Sequence, residues 1–170
     1  TNLRDWHELY CAGHMFEAAA AHYQATGKTN FLQIATRYAD YIGSVFGPAP
    51  KRLGYCGHPE IELALVKLWR ATGNVRYFEL ARFFIENRGR KFFATEHKTP
   101  LEKYDGSYWQ DDVPIWEHQN IKGHAVRAAY LMSGTTEIAA QTGDQRLLDM
   151  LGRVWRNTTE RNQYLTGGIG

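Results

Sequence analysis

The stretch Thr72-Gly73-Asn74-Val75-Arg76-Tyr77-Phe78-Glu79-Leu80-Ala81 decides the fold, because the chain carries it in three versions. An earlier copy reads Thr26-Gly27-Lys28-Thr29-Asn30-Phe31-Leu32-Gln33-Ile34-Ala35, and a later one Thr142-Gly143-Asp144-Gln145-Arg146-Leu147-Leu148-Asp149-Met150-Leu151. Each Thr-Gly closes one apolar helical run and opens another. Glycine just past a helix end supplies the left-handed residue that stops it, and a repeat of this period marks one supersecondary unit. The unit is a helical hairpin. The first pairs about 7–26 with 28–45, the second 59–72 with 74–88, and the third 118–142 with 144–160.

The two helices of a hairpin differ in character. Leu63, Ala64, Leu65, Val66, Leu68 and Trp69 leave almost no polar face, so this helix is expected to be buried on most sides. Its partner mixes Tyr77, Phe78, Leu80, Ala81, Phe83 and Phe84 with Arg76, Glu79, Arg82 and Glu86, and so keeps one wet face. An inner helix paired with an outer one is the unit of an α/α toroid. Gly27 and Gly73 are 46 residues apart and Gly73 and Gly143 are 70 apart. The excess falls in 90–117, a long charged segment with Pro100, Gly106 and Pro114. Long loops in compact folds are commonly functional.

A second pattern is Gly-His, at Gly13-His14, Gly57-His58 and Gly123-His124, each expected to open an inner helix. Glycine permits a tight entry, and stacked hairpins would bring the three imidazoles to one mouth of the ring. Each histidine alone is read more simply as a helix cap. Zinc accepts imidazole nitrogen, with Cys11 and Cys56 near two of the motifs, but these histidines are 44 and 66 residues apart. The cysteines are then packing residues, and no metal is expected within the segment.

A sugar suits the mouth better, since neutral imidazoles and carboxylates bind hydroxyls and aromatic rings carry apolar sugar faces. The stretch from Tyr104 to Gln119 supplies Trp109, Trp116 and His118 as further subsite candidates. Glycosidases use a pair of carboxyl groups; Glu60, Glu62, Asp111, Asp112 and Glu117 are present, and spacing selects no pair.

Bulk composition narrows the partners. With 170 residues at 44% hydrophobic the chain buries a real core. A net charge of +2 gives no support for nucleic acid or a membrane surface, no apolar run is long enough to span a bilayer, and no signal peptide opens the chain. A cytoplasmic location is the default expectation. Thr1 is no initiator, and the far end stops inside Thr166-Gly167-Gly168-Ile169-Gly170, so 1–170 is expected to be part of a barrel domain, cut at both ends.

Four motifs in order closely resemble glycoside hydrolase family 127. They are His7-Glu8-Leu9-Tyr10-Cys11-Ala12-Gly13-His14, the run Gly57-His58-Pro59-Glu60-Ile61-Glu62-Leu63-Ala64-Leu65-Val66-Lys67-Leu68, then Gly123-His124-Ala125-Val126-Arg127-Ala128, and Tyr164-Leu165-Thr166-Gly167-Gly168-Ile169-Gly170. The resemblance implies an all-α, incomplete α/α six-hairpin toroid of about three hairpins, from a retaining enzyme that releases terminal β-L-arabinofuranose. It implies that His14, Gly57, His58 and His124 line the sugar pocket, with Glu60 near it. It also implies that a cysteine nucleophile, its zinc and the acid/base glutamate lie beyond residue 170, so Cys11 and Cys56 are not the nucleophile. Trp116 and His118 depart from the Arg and Gln more common there, which affects subsite detail. The partners so implied are an arabinofuranoside-containing glycan and the rest of the chain. A hairpin solenoid that binds a protein, or a sugar epimerase on the same toroid, would carry the same repeat.

A toroid cut about halfway leaves inner-helix faces uncovered. The segment expressed alone is therefore expected to self-associate or be poorly soluble; a monodisperse, cooperatively melting monomer in sedimentation and calorimetry would contradict this.

Overall fold

The computed structural model describes residues 2–169, so Thr1 and Gly170, the last residue of the closing glycine motif, lie outside it. Seven α-helices are present among the described residues: α1 (Glu8–Thr26), α2 (Asn30–Val45), α3 (Ile61–Thr72), α4 (Val75–Asn87), α5 (Phe92–Glu96), α6 (Ala125–Thr142) and α7 (Gln145–Asn157). There is no β-strand among them, only isolated bridges between Phe46 and Arg52 and between Gln163 and Ile169.

The three Thr-Gly turns are built alike. Gly27, Gly73 and Gly143 sit at φ 70°, 71° and 67°, and a Cβ at any of them would meet nothing within 4 Å. Backbone handedness requires these glycines. The threonine hydroxyl of each turn donates to the carbonyl four residues back, at 2.7–2.8 Å, in Thr26 to His22, Thr72 to Leu68 and Thr142 to Ile138. It also accepts the N–H two residues on, from Lys28, Asn74 and Asp144 at 3.2–3.3 Å. One hydroxyl thus ties the ending helix to the chain that starts the next. Asn74 and Asp144 then accept the amides of Arg76 and Arg146, satisfying a free helix-end donor.

Helices α1, α3 and α6 form the inner row, with α3 packed against α1, α4 and α6, while α2, α4 and α7 lie outside. Ile61, Ala64, Leu65, Val66 and Leu68 of α3 have no exposed surface, as expected for an inner helix. The three hairpins form an arc of an α/α toroid.

Two expectations about helix starts need correction. The third inner helix begins at Ala125, seven residues after the anticipated 118. Arg153 of α7 holds the carbonyls of Trp116 and His118 at 2.9 and 3.4 Å, and Asn157 accepts the amide of Ile121 at 3.1 Å. Outer-helix side chains thus capture backbone groups that a longer α6 would use. The Gly-His pairs are also not equivalent. His14 lies well inside α1, His58 precedes α3, and His124 is the N-cap of α6. Of the three glycines only Gly123 has positive φ, at 76°. Gly57 is required by space instead: a Cβ there would overlap the Arg4 carbonyl, and its N–H donates to Leu3 at 2.8 Å.

The segment 88–124 is ordered by buried anchors. Asp111, fully buried, accepts from the hydroxyls of Tyr55 and Tyr104 and from the amides of Phe92 and Phe93, the last three at 2.7, 3.2 and 3.1 Å. Beside it Arg88, also fully buried, reaches Glu62 at 3.2 Å and the carbonyls of Cys56 and Trp109 at 2.6 and 3.0 Å. Its guanidinium lies 4.8 Å from the Tyr55 ring centre. Removing one partner of a buried ion pair leaves an uncompensated charge, which typically costs about 3–5 kcal/mol. Arg88→Met in the intact protein should lower its denaturation midpoint accordingly. Arg88→Met with Glu62→Leu should lose less, and a double variant as unstable as the sum of the singles would show that the pair is not the source.

Candidate functional site

The three histidines meet around two tyrosines. Tyr10, one helical turn before His14 on α1, lies edge-on to the His14 ring at 4.4 Å and tilted against His58 at 4.3 Å. Tyr130 of α6 is 6.1 Å from His14 and 6.0 Å from His58. His124 stands 5.8 Å from His58, and His7 5.9 Å from it on another side. The convergence expected at the mouth is present, although the three side chains reach it from different positions on their elements.

Backbone contacts orient two of these rings. His58 is buried, and its Nδ1 lies 2.9 Å from the Pro59 carbonyl, which makes Nδ1 the protonated nitrogen and leaves Nε2 as an acceptor. Burial, with the nearby Arg127 charge, lowers its pKa to about 4, so the ring stays neutral. His124 has the opposite arrangement. Its Nδ1 accepts the Arg127 amide at 3.3 Å and caps α6, so its proton is on Nε2. Neither Nε2 has a hydrogen-bond partner among the described residues. An acceptor and a donor therefore stand on adjacent rings, the pair a hydroxyl needs.

Arg127 completes this side. It is buried, its guanidinium lies 4.7 Å from the Tyr108 ring centre, and its Nε and Nη1 have no hydrogen-bond partner among the described residues. Tyr108 in turn is 5.6 Å from His124. The sequence reading missed Tyr10, Tyr108, Arg127, Tyr130 and His7. The signal for two was available: His7, Tyr10 and His14 are spaced i, i+3, i+7, which places them on one helical face.

The remaining candidates divide clearly. Gly57 shapes the approach to His58 through its contact with Arg4. Trp109 has Arg4 4.9 Å over its ring and gives its carbonyl to Arg88. Trp116 packs under Arg146 of α7 at 5.4 Å, and His118, buried with its pKa lowered by that burial, shares the α7 contact through its carbonyl. Neither of these two joins the histidine rings.

Among the carboxylates, Glu62 is committed to Arg88, Asp112 to Lys122, and Asp111 to its four donors, while Glu117 is exposed. Glu60 is different. It is fully buried with both oxygens unpartnered, and His14 Nδ1 is 3.8 Å away. Burial, then the charges of Glu17 and Glu62, raises its pKa to about 8. Among the described residues no group of three or more His, Cys, Asp and Glu side chains is placed to hold a metal. Cys11 is exposed, and Cys56 is buried with its thiol pushed up to about 12 by that burial.

The family model for the β-L-arabinofuranosidase GH127 catalytic domain matches residues 1–170. The chain belongs to this glycoside hydrolase family. It is 40% identical to a non-reducing end β-L-arabinofuranosidase of Bifidobacterium longum, over 99% of this chain and 27% of that one. Its fold matches a GH127 β-L-arabinofuranosidase from Geobacillus stearothermophilus T6 with a TM-score of 0.94 at 47% identity, covering 99% of this chain and 28% of that one. A further GH127 β-arabinofuranosidase matches with a TM-score of 0.88 at 40% identity, over 99% and 25% of the two chains. The chain thus spans about a quarter of the length of these relatives. No helix among the described residues is long and apolar enough to cross a membrane.

The raised Glu60 pKa has a defined sign. Between about pH 4.5 and 8 the folded state holds a proton that the unfolded state has lost, so stability falls as pH rises through that window. His58, depressed from 6.5 to about 4, acts oppositely and only below 6.5. Glu60→Gln should therefore flatten the decline in melting temperature between pH 6.5 and 8. An unchanged slope in the variant would place the titrating group elsewhere.

Proposed function

We propose that this segment forms one wall of the sugar pocket of a retaining glycoside hydrolase that releases terminal β-L-arabinofuranose. One observation carries the reading: His14, His58 and His124 converge on Tyr10 and Tyr130, with an acceptor Nε2 on His58 beside a donor Nε2–H on His124. A furanose presents hydroxyls that are each donor and acceptor, and the acceptor nitrogen of His58 beside the donor nitrogen of His124 matches them. Tyr10 and Tyr130 supply the ring faces and edges between the histidines.

The glycan substrate and the hydrolytic chemistry rest on family membership together with this wall. The family resemblance assigns the zinc it implies to residues outside the segment. It likewise places the cysteine nucleophile and the acid/base glutamate outside the segment; within it Asp111 and Glu62 are held by buried partners, and Cys56 is a buried thiol. Trp109 serves the wall indirectly, through the loop it anchors with Arg88.

A hydrogen bond from a neutral imidazole to a hydroxyl is worth about 1 kcal/mol net, and a buried group left unpaired costs more. In the full-length enzyme, His58→Ala should lower kcat/KM on an aryl β-L-arabinofuranoside by roughly tenfold to a hundredfold. The zinc content of the same preparation should not change. Loss of stoichiometric zinc from a folded His58→Ala protein would overturn the assignment and make the histidines metal ligands.

A further inference from the structure

Glu60 occupies a place made for a carboxyl group. Its side chain lies between α1 and the first turn of α3, at Gly13, where a single methyl would overlap Glu60 Oε2. The residue has no exposed surface, both oxygens are unpartnered, and its own amide donates to Glu62 Oε2 at 3.0 Å. The groups facing it are His14 and Glu17 from α1, Glu62 and Lys67 from α3, and Tyr130 from α6. Lys67 is taken by Glu17 at 2.6 Å, and Glu62 by Arg88 at 3.2 Å. Among the described residues no cation is left to neutralise a Glu60 carboxylate, and two of its neighbours are carboxylates themselves.

A carboxyl group in that setting keeps its proton at neutral pH, in line with a pKa near 8. A protonated carboxyl has an O–H donor, and His14 Nδ1 faces it at 3.8 Å with no hydrogen-bond partner among the described residues. At 3.8 Å the pair is beyond hydrogen-bond length, but the imidazole is 43% exposed and its outer torsion is broad, so the ring is free to turn toward the carboxyl.

We propose that Glu60 is a positioning residue of the pocket: its protonated carboxyl donates to Nδ1 of His14 and thereby holds that ring as the tautomer with its proton on Nε2. The proposal rests on reading His14 as part of the sugar wall. Donation from Glu60 requires an unprotonated Nδ1, so Nε2–H is left to donate to a substrate hydroxyl. When Glu60 ionises it becomes acceptor-only. The imidazole proton then moves to Nδ1, Nε2 turns into an acceptor, and the contact with the substrate changes polarity.

The test uses the full-length enzyme and two readouts. Kinetically, wild-type kcat/KM on an aryl β-L-arabinofuranoside should fall above about pH 8 with the slope of one ionisation. Glu60→Gln, whose carboxamide N–H donates at every pH, should stay within about threefold of wild type at neutral pH and lack that fall. Glu60→Leu, with no donor, should lose about tenfold or more at neutral pH while keeping its fold. Spectroscopically, infrared difference spectra should show a protonated carboxyl band that disappears near pH 8 and is missing from Glu60→Gln.

A Glu60→Gln profile superimposable on wild type would overturn the proposal. So would the absence of a carboxyl band titrating near pH 8 in wild type, a result that does not depend on any variant folding. An enzyme that shows the Glu60 band but hydrolyses no arabinofuranoside would support the proton on Glu60 and overturn the substrate reading instead.

Discussion

The wall of histidines depends on where one arginine goes. Arg88 ends α4 with its side chain wholly inside the protein, a position that costs several kcal/mol of lost hydration unless polar partners offset it. Glu62 answers with a carboxylate, Cys56 and Trp109 with backbone carbonyls, and Tyr55 with a ring face. These partners belong to pieces of chain that would otherwise be independent: the first turn of α3, the loop that delivers His58, and the turn that carries Tyr108 and Trp109. Because Arg88 holds the Cys56 carbonyl two residues before His58, and the Trp109 carbonyl one residue after Tyr108, both rings are placed from the same guanidinium. Asp111 does the complementary work on the other side of Tyr55, drawing 92–93 and 104 onto the same ring.

The hairpins were readable because their determinants are local. Thr-Gly needs only its own hydroxyl, the carbonyl four residues back and the amide two residues on, so each copy specifies its turn without help from the rest of the chain. The inner or outer character of α3 and α4 was readable for the same reason, from the apolar pattern within each helix. The start of α6 was not. Residues 118–124 are held open by Arg153 and Asn157, which lie 35 and 36 residues away along the chain from the groups they bind at His118 and Ile121. Nothing in the local pattern announces such a contact.

The site was half legible. The histidines of the three Gly-His pairs do come together, but the reason given for the glycines held for Gly123 alone. Gly13 admits a carboxyl group and Gly57 admits a backbone carbonyl, both of them contacts between elements distant in sequence. Glu62 and Asp111 looked like candidates for chemistry until their partners were visible, since saturation by Arg88, by two tyrosine hydroxyls and by two amides is a property of the fold.

The same glycines explain why the wall is built where it is. Gly13 of α1 lies against Glu60 and Ile61, while Gly134 of α6 lies 3.2 Å from Glu62 Cβ and 3.3 Å from the Leu63 amide, measured from the Cβ it lacks. The entry to α3 is thus gripped from both sides by inner helices brought to near backbone contact. Close packing of this kind leaves little room for motion, and sites built on such elements hold their geometry better than sites on loops. His14 on α1, His124 at the head of α6 and His58 just before α3 all stand on the three elements that meet at this grip. The rings are therefore positioned relative to one another by close contacts between the inner helices, so their spacing is set by the packing of α1 and α6 on the entry to α3.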